Sequence, residues 1–264
     1  MEYYTDNKLY QFLRNSYKFK FSDINVWELI YGDKFSTPKL LVLVAGVHME
    51  ESYKNLYDIF NKESYARLKY LSEKSGLPFI CIAFEVGVEE IDKVYFAEQC
   101  GEFRELTLNE LKEIFQTYDL PIKDSTTQKY LNDKTSSAYH NWQRDNLGDE
   151  ITVSDIDLWI IHLNSNIPIA ILEIKRSKIP LDSWTPYKND YPNFKLISNL
   201  CNMSNIKFKI VYYHMGEGTT YRPEDISKVK VFDVNFKKDP PISSPGRIIS
   251  LLDFIISEEW ITNE

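Results

Sequence analysis

The chain is expected to adopt a mixed α/β fold, with a β-sheet flanked by helices, laid out as two related copies in tandem. Three observations carry this expectation. Apolar runs of strand length alternate with stretches whose apolar residues recur at helical spacing. One pattern occurs twice, as YQFLRNSYKFKFSDINVW at 10–27 and WQRDNLGDEITVSDIDLW at 142–159. Each copy holds an aromatic-Gln pair and an SDI-x-x-W string, with twelve positions from the aromatic residue to the serine. Finally, the second half carries helix, three strands, helix, strand, in an order that makes a layered α/β domain.

The elements follow in order. In the first half, residues 38–44 (PKLLVLV) form an apolar strand. A helix-then-strand unit follows, with Tyr65, Leu68, Leu71, Leu77 and Phe79 as its apolar positions. They line up with Phe194, Ile197, Leu200, Ile206 and Phe208 of the second half. Residues 91–94 match 226–229, and LKEIF at 111–115 resembles LLDFI at 251–255, each in a C-terminal helix. In the second half, residues 136–146 are expected to be helical with Gly148 as the stop. Residues 151–154 open a first strand. DLWIIHL (157–163) and IAILEIK (169–175) follow as a hairpin across Asn164, Ser165 and Asn166, which favour turns. A helix over 193–203, a strand over 206–213 and an edge strand over 228–234 complete the set. A tandem duplication accounts for the equal spacing. Its boundary falls near 120–135, where the chain is polar and turn-rich, giving domains 1–125 and 130–264.

Composition narrows the function classes. At 264 residues the chain is one large domain or two small ones, and 43% hydrophobic with 27% charged residues is a globular balance. No apolar stretch is long enough to span a membrane, and MEYYTDNKLY is not expected to act as a signal peptide, so the expected location is cytoplasmic. Cys81, Cys100 and Cys201 are far apart, which suggests neither a zinc site nor a disulfide framework. A net charge of −8 argues against indiscriminate binding of nucleic acid but leaves room for a local basic groove. The four histidines make no metal spacing, and no Gly-x-Ser-x-Gly is present.

The candidate chemistry sits on the second-half hairpin. Side chains two apart on a strand share a face, so Glu173 and Lys175 point the same way. With Leu163 facing Ile167, Asp157 falls opposite Glu173, at a Cβ separation of about 4.5–5.5 Å. Two carboxylates that close repel unless one protonates or a cation sits between them. An acid pair with a lysine one step along suits metal-dependent hydrolysis.

This arrangement resembles the PD-(D/E)XK nuclease superfamily over residues 135–215. There an acid on one core strand precedes a (D/E)-x-K on the next, and helices flank the hairpin. Asp157 and Glu173-Ile174-Lys175 match; the lead-in Ser154-Asp155-Ile156 lacks the proline of the nominal motif. The resemblance implies a restriction-endonuclease-like fold and a Mg²⁺-dependent endonuclease. Asp157, Glu173 and the Ile174 carbonyl would hold the ion, Mn²⁺ is expected to substitute, and Lys175 would position the attacking water. Gln143 and Asp155 are accessory candidates. Arg176, Lys178, Trp184, Tyr187 and Tyr191 are candidates for contacting substrate, with nucleic acid, DNA ahead of RNA, as the partner. In the first copy Asn25, Leu43 and Ala45 stand at the three catalytic positions, so that copy is expected to be degenerate. One site per chain implies nicking by a monomer and double-strand cleavage only by a homodimer. The alternatives are a non-catalytic nucleic-acid- or protein-binding module on a decayed nuclease scaffold, and an RNA-directed nuclease.

Overall fold

The computed structural model describes residues 7–48, 60, 62–99, 101–123, 137–216 and 224–262. Most of the expected boundary at 120–135, together with Cys100, lies outside the described residues. The first elements are α1 (Lys8–Leu13), β1 (Phe19–Lys20), β2 (Val26–Asp33), β3 (Pro38–Val47), α2 (Lys62–Ser75), β4 (Phe79–Glu85), β5 (Lys93–Glu98), β6 (Arg104–Thr107) and α3 (Leu108–Thr117). Then come α4 (Ala138–Asn146), β7 (Ile151–Asp155), β8 (Leu158–His162), β9 (Ile167–Ser177), α5 (Tyr191–Ser204), β10 (Lys207–His214), β11 (Asp225–Asp233), β12 (Arg247–Ser250), α6 (Leu251–Ile256) and α7 (Glu259–Thr262).

Two compact units form, and neither matches a half of the sequence. One is built from Ser22–Asp155, the other from the segment ending at Phe21 together with the chain from Ile156 onward. The first unit holds a six-stranded sheet in the order β7-β2-β3-β4-β5-β6, and the second a six-stranded sheet in the order β1-β8-β9-β10-β11-β12. In each, one central pair is parallel (β3 with β4, β9 with β10) and every other pair is antiparallel. The strand expected at 151–154 to open the second half therefore closes the edge of the first unit's sheet, and β1 closes the edge of the second's. The sequence division at 125–130 differs from this one by two helix–strand pairs. The pair α4–β7 folds with the first unit, and α1–β1 with the second.

Packing gives the reason. Tyr139 and Trp142 of α4 are buried with Tyr31, Phe84 and Phe115 of the first unit. Leu9 and Leu13 of α1 are buried with Leu158, Leu172 and Val211 of the second. In the second unit, α1, α6 and α7 cover that face of the sheet, while α5 packs against β9 and β10 on the other. Helix α5 presents Phe194, Ile197, Leu200 and Cys201 at helical spacing, carries a proline in its first turn, and ends at Asn205 in the left-handed conformation (φ 54°). Strand β11, expected at an edge, is interior because β12 pairs outside it. Among the described residues, no helix is long and apolar enough to cross a membrane.

Candidate functional site

The β8–β9 hairpin fixes the geometry. Near its open end Leu158 pairs with Leu172 and Ile160 with Ala170, a register that continues to set Asp157 across from Glu173. Its turn differs from the expected one. His162 pairs with Ile167, so four residues close the loop, Asn166 among them at a positive φ of 54°. A one-residue bulge follows between Ile160 and Ile161 and their partners, and restores the register before the acids. The two departures cancel, and the Leu158–Leu172 pair next to the acids has the expected register.

Asp157 lies one residue before β8, and the Ile174 N–H donates to its Oδ2 at 2.8 Å, which ties the carboxylate to β9. Glu173 is 7% exposed. Lys175 Nζ stands 2.7 Å from Glu173 Oε1 and 5.6 Å from the centre of the Phe194 ring, beneath the start of α5. Burial pulls the pKa of Lys175 down, but the charges of Glu173 and Asp157, the hydrogen bond to Glu173 and the charge of Asp190 outweigh it. Its pKa is raised above the ordinary lysine value, so at neutral pH it is an ammonium: a donor and a counter-charge, not a general base.

The other expected residues divide by position. Arg176 points to the opposite face, where its guanidinium meets Glu224, which also accepts from the Tyr213 hydroxyl at 3.2 Å and the Lys8 N–H at 2.8 Å. Strand alternation separates it from Glu173 and Lys175. Lys178 is exposed on the loop beyond. Trp184 is 2% exposed and stacks on Tyr212 at 4.2 Å and 3°, so it is a core anchor and not a stacking surface for bases. Tyr187 is 52% exposed and keeps the role open to it. Tyr191 begins α5, edge-on to Phe236. Gln143 and Asp155 belong to the first unit. Gln143 accepts from the Tyr31 hydroxyl, and Asp155 pairs with Leu29.

Sequence reasoning missed three groups. Asp190, at the entry to α5, acts on Lys175. Lys230 is 1% exposed, and its ammonium donates to the carbonyls of Asp182 and Trp184, both at 2.9 Å, pinning the loop beside the site. A lysine in the apolar run VKVF was the available signal. The third group lies in the first unit. Of the three positions aligned with the site there, Leu43 and Ala45 are buried in β3, and Asn25 takes a positive φ of 59°. Directly across from Leu43 is Glu28, and Arg67 of α2 donates to it at 2.7 Å and to Ser64 Oγ at 2.8 Å.

Fit to a divalent ion follows from the donor set. Asp157, Glu173 and the Ile174 carbonyl are all hard oxygens, the kind Mg²⁺ takes. Among the described residues, no three His, Cys, Asp or Glu side chains cluster to hold a metal. The protein would thus supply two carboxylates, and Mg²⁺ characteristically keeps its remaining positions for water and phosphate oxygens.

No family model matches the chain, and no curated protein is similar to it. Among solved structures, the C-terminal domain of sex pheromone staph-cAM373 precursor from Staphylococcus aureus aligns at 9% identity. The alignment covers 86% of this chain and 71% of that one at a TM-score of 0.15, too low to bear on the fold.

Proposed function

We propose that the second unit is a Mg²⁺-dependent nuclease that hydrolyses phosphodiester bonds, with DNA as its substrate ahead of RNA, acting in the cytoplasm. The observation that carries this is Asp157 set across from a nearly buried Glu173, with Lys175 on the same face. The element order helix, three strands, helix, strand supports a restriction-endonuclease-like core. The shared strand order and sense of the two sheets support a tandem duplication whose copies have exchanged their first helix and strand. With Asn25, Leu43 and Ala45 at the matching positions, the first copy is the degenerate one.

Asp157 and Glu173 would hold the ion, with the Ile174 carbonyl beside them. When bound, a divalent ion polarises the phosphodiester and lowers the pKa of its water. Lys175, charged and aimed along the same face, orients that water and offsets charge growing on the phosphate. Exposed Tyr187 offers a ring on which a base can stack. A specific observation favours a second reading, a binding module on a nuclease scaffold: the close Glu173–Lys175 ion pair already satisfies both charges without a metal.

Cleavage of supercoiled plasmid with Mg²⁺ decides between them. Nicking by the native chain that vanishes in Glu173→Ala and Lys175→Ala establishes the nuclease. No cleavage of plasmid, single-stranded DNA or RNA by any of the three leaves the binding module.

A further inference from the structure

We propose that Lys175 is the resident counter-ion of the acid pair: it holds the place of the divalent ion on Glu173 and must swing away before a metal can bind. The lysine thereby sets the metal affinity. The inference rests on the reading of Asp157 and Glu173 as metal ligands, and goes beyond it by assigning the lysine a task before catalysis.

To be ionised, a carboxylate as buried as Glu173 needs a cation within reach. Lys175 supplies one at 2.7 Å, on Oε1. An ammonium and a divalent ion held on one buried carboxylate repel each other at short range, so binding of the ion favours departure of the lysine. The lysine is built to leave. Its side chain is 31% exposed against 9% for Glu173, and a flexible four-carbon stem carries its charge. Asp190 gives the displaced ammonium a second acidic group to turn toward.

The first unit provides an internal comparison. Glu28 is also a buried strand carboxylate on the face covered by the central helix, and its cation is Arg67. That side chain is 5% exposed, and the same guanidinium nitrogen that holds Glu28 also holds Ser64. It has neither the room nor the flexibility to move out. The first unit is closed by a cation that stays, and the second is guarded by one that can move.

The test is calorimetric titration of the full chain with Mn²⁺, together with thermal melts with and without Mn²⁺. It compares the native protein, Lys175→Met, Lys175→Gln, Lys175→Arg and Glu173→Gln. Displacement predicts that Lys175→Met and Lys175→Gln bind Mn²⁺ about tenfold tighter than the native chain and gain more in Tm from the metal. Lys175→Arg, with a planar fork that grips the carboxylate at two points, binds more weakly than the native chain. Glu173→Gln binds no metal. If Lys175→Arg equals the native chain while Lys175→Met is tighter, only the local field matters and displacement is wrong. Affinity in Lys175→Met and Lys175→Gln no tighter than native overturns it as well. Should the native chain and every variant take up no Mn²⁺, the metal reading itself falls and takes this inference with it.

Discussion

Glu173 is 7% exposed, and Lys175 lies against it as its counter-charge. Removing Lys175 leaves Glu173 buried without that ion pair, whereas removing Glu173 leaves a half-buried lysine that still has Asp157 and Asp190 near it, so the two substitutions should differ in kind. Glu173→Ala takes away a ligand and should reduce metal-dependent cleavage to background. Lys175→Ala should keep metal binding, tightened as for the other variants that lose the ammonium, and lower the cleavage rate by about 10²–10³-fold, as loss of one transition-state donor does. Single-turnover rates at saturating Mg²⁺ separate these effects. A second residue sets a pH limit on stability. His140, partly exposed, packs on Trp27 and Tyr139 in the first unit, and its ring Nδ1 is 2.7 Å from Ser137 Oγ. Burial pulls its pKa from 6.5 down to about 4, against the charge of Asp155 and helped by Arg144. Between those values the unfolded chain binds the proton and the folded chain does not. Stability is therefore fully present above pH 6.5 and falls toward pH 4, by about 2 kcal/mol after allowance for solvent near the ring. Urea denaturation from pH 4 to 7 should show that slope, and His140→Gln should flatten it.

At the scale of elements, the site depends on a hairpin and the loop that follows it. The spacing of apolar residues was enough to place Asp157 across from Glu173. It could not reveal that a longer turn and a bulge compensate each other, because both cost one residue and the apolar pattern survives the pair. Trp184 looked like a surface aromatic since it sits in an irregular stretch. Only the folded sheet supplies Tyr212 beneath it and Lys230 beside it. Trp184→Ala should cost about 3–5 kcal/mol by denaturant titration, the cost of emptying a buried aromatic position. In the first unit, Arg67→Ala strands the carboxylate of Glu28 in the core and should cost about 3–5 kcal/mol in the same experiment. A loss under 1 kcal/mol there would mean that water reaches Glu28 and the unit is not closed.

For the whole molecule, the exchange of α1–β1 and α4–β7 makes each unit depend on both halves of the sequence. Residues 1–123 and 137–264, expressed separately, should each lack an edge strand and a core helix and fail to show cooperative melting. Expressed together, they should assemble and elute as one species. Independent folding of either fragment would count against the exchange. The sequence by itself determined the element types, the similarity of the two halves and the pairing that brings an acid, a second acid and a lysine together. All of these follow from local periodicity and spacing, which a strand or helix expresses wherever it packs. Only the tertiary structure decided which helix and strand complete which sheet, which way Arg176 faces and what neutralises Glu28. The two opening segments carry nearly the same aromatic-Gln and SDI pattern, so either fits either sheet by local rules, and the choice rests on core contacts made far along the chain.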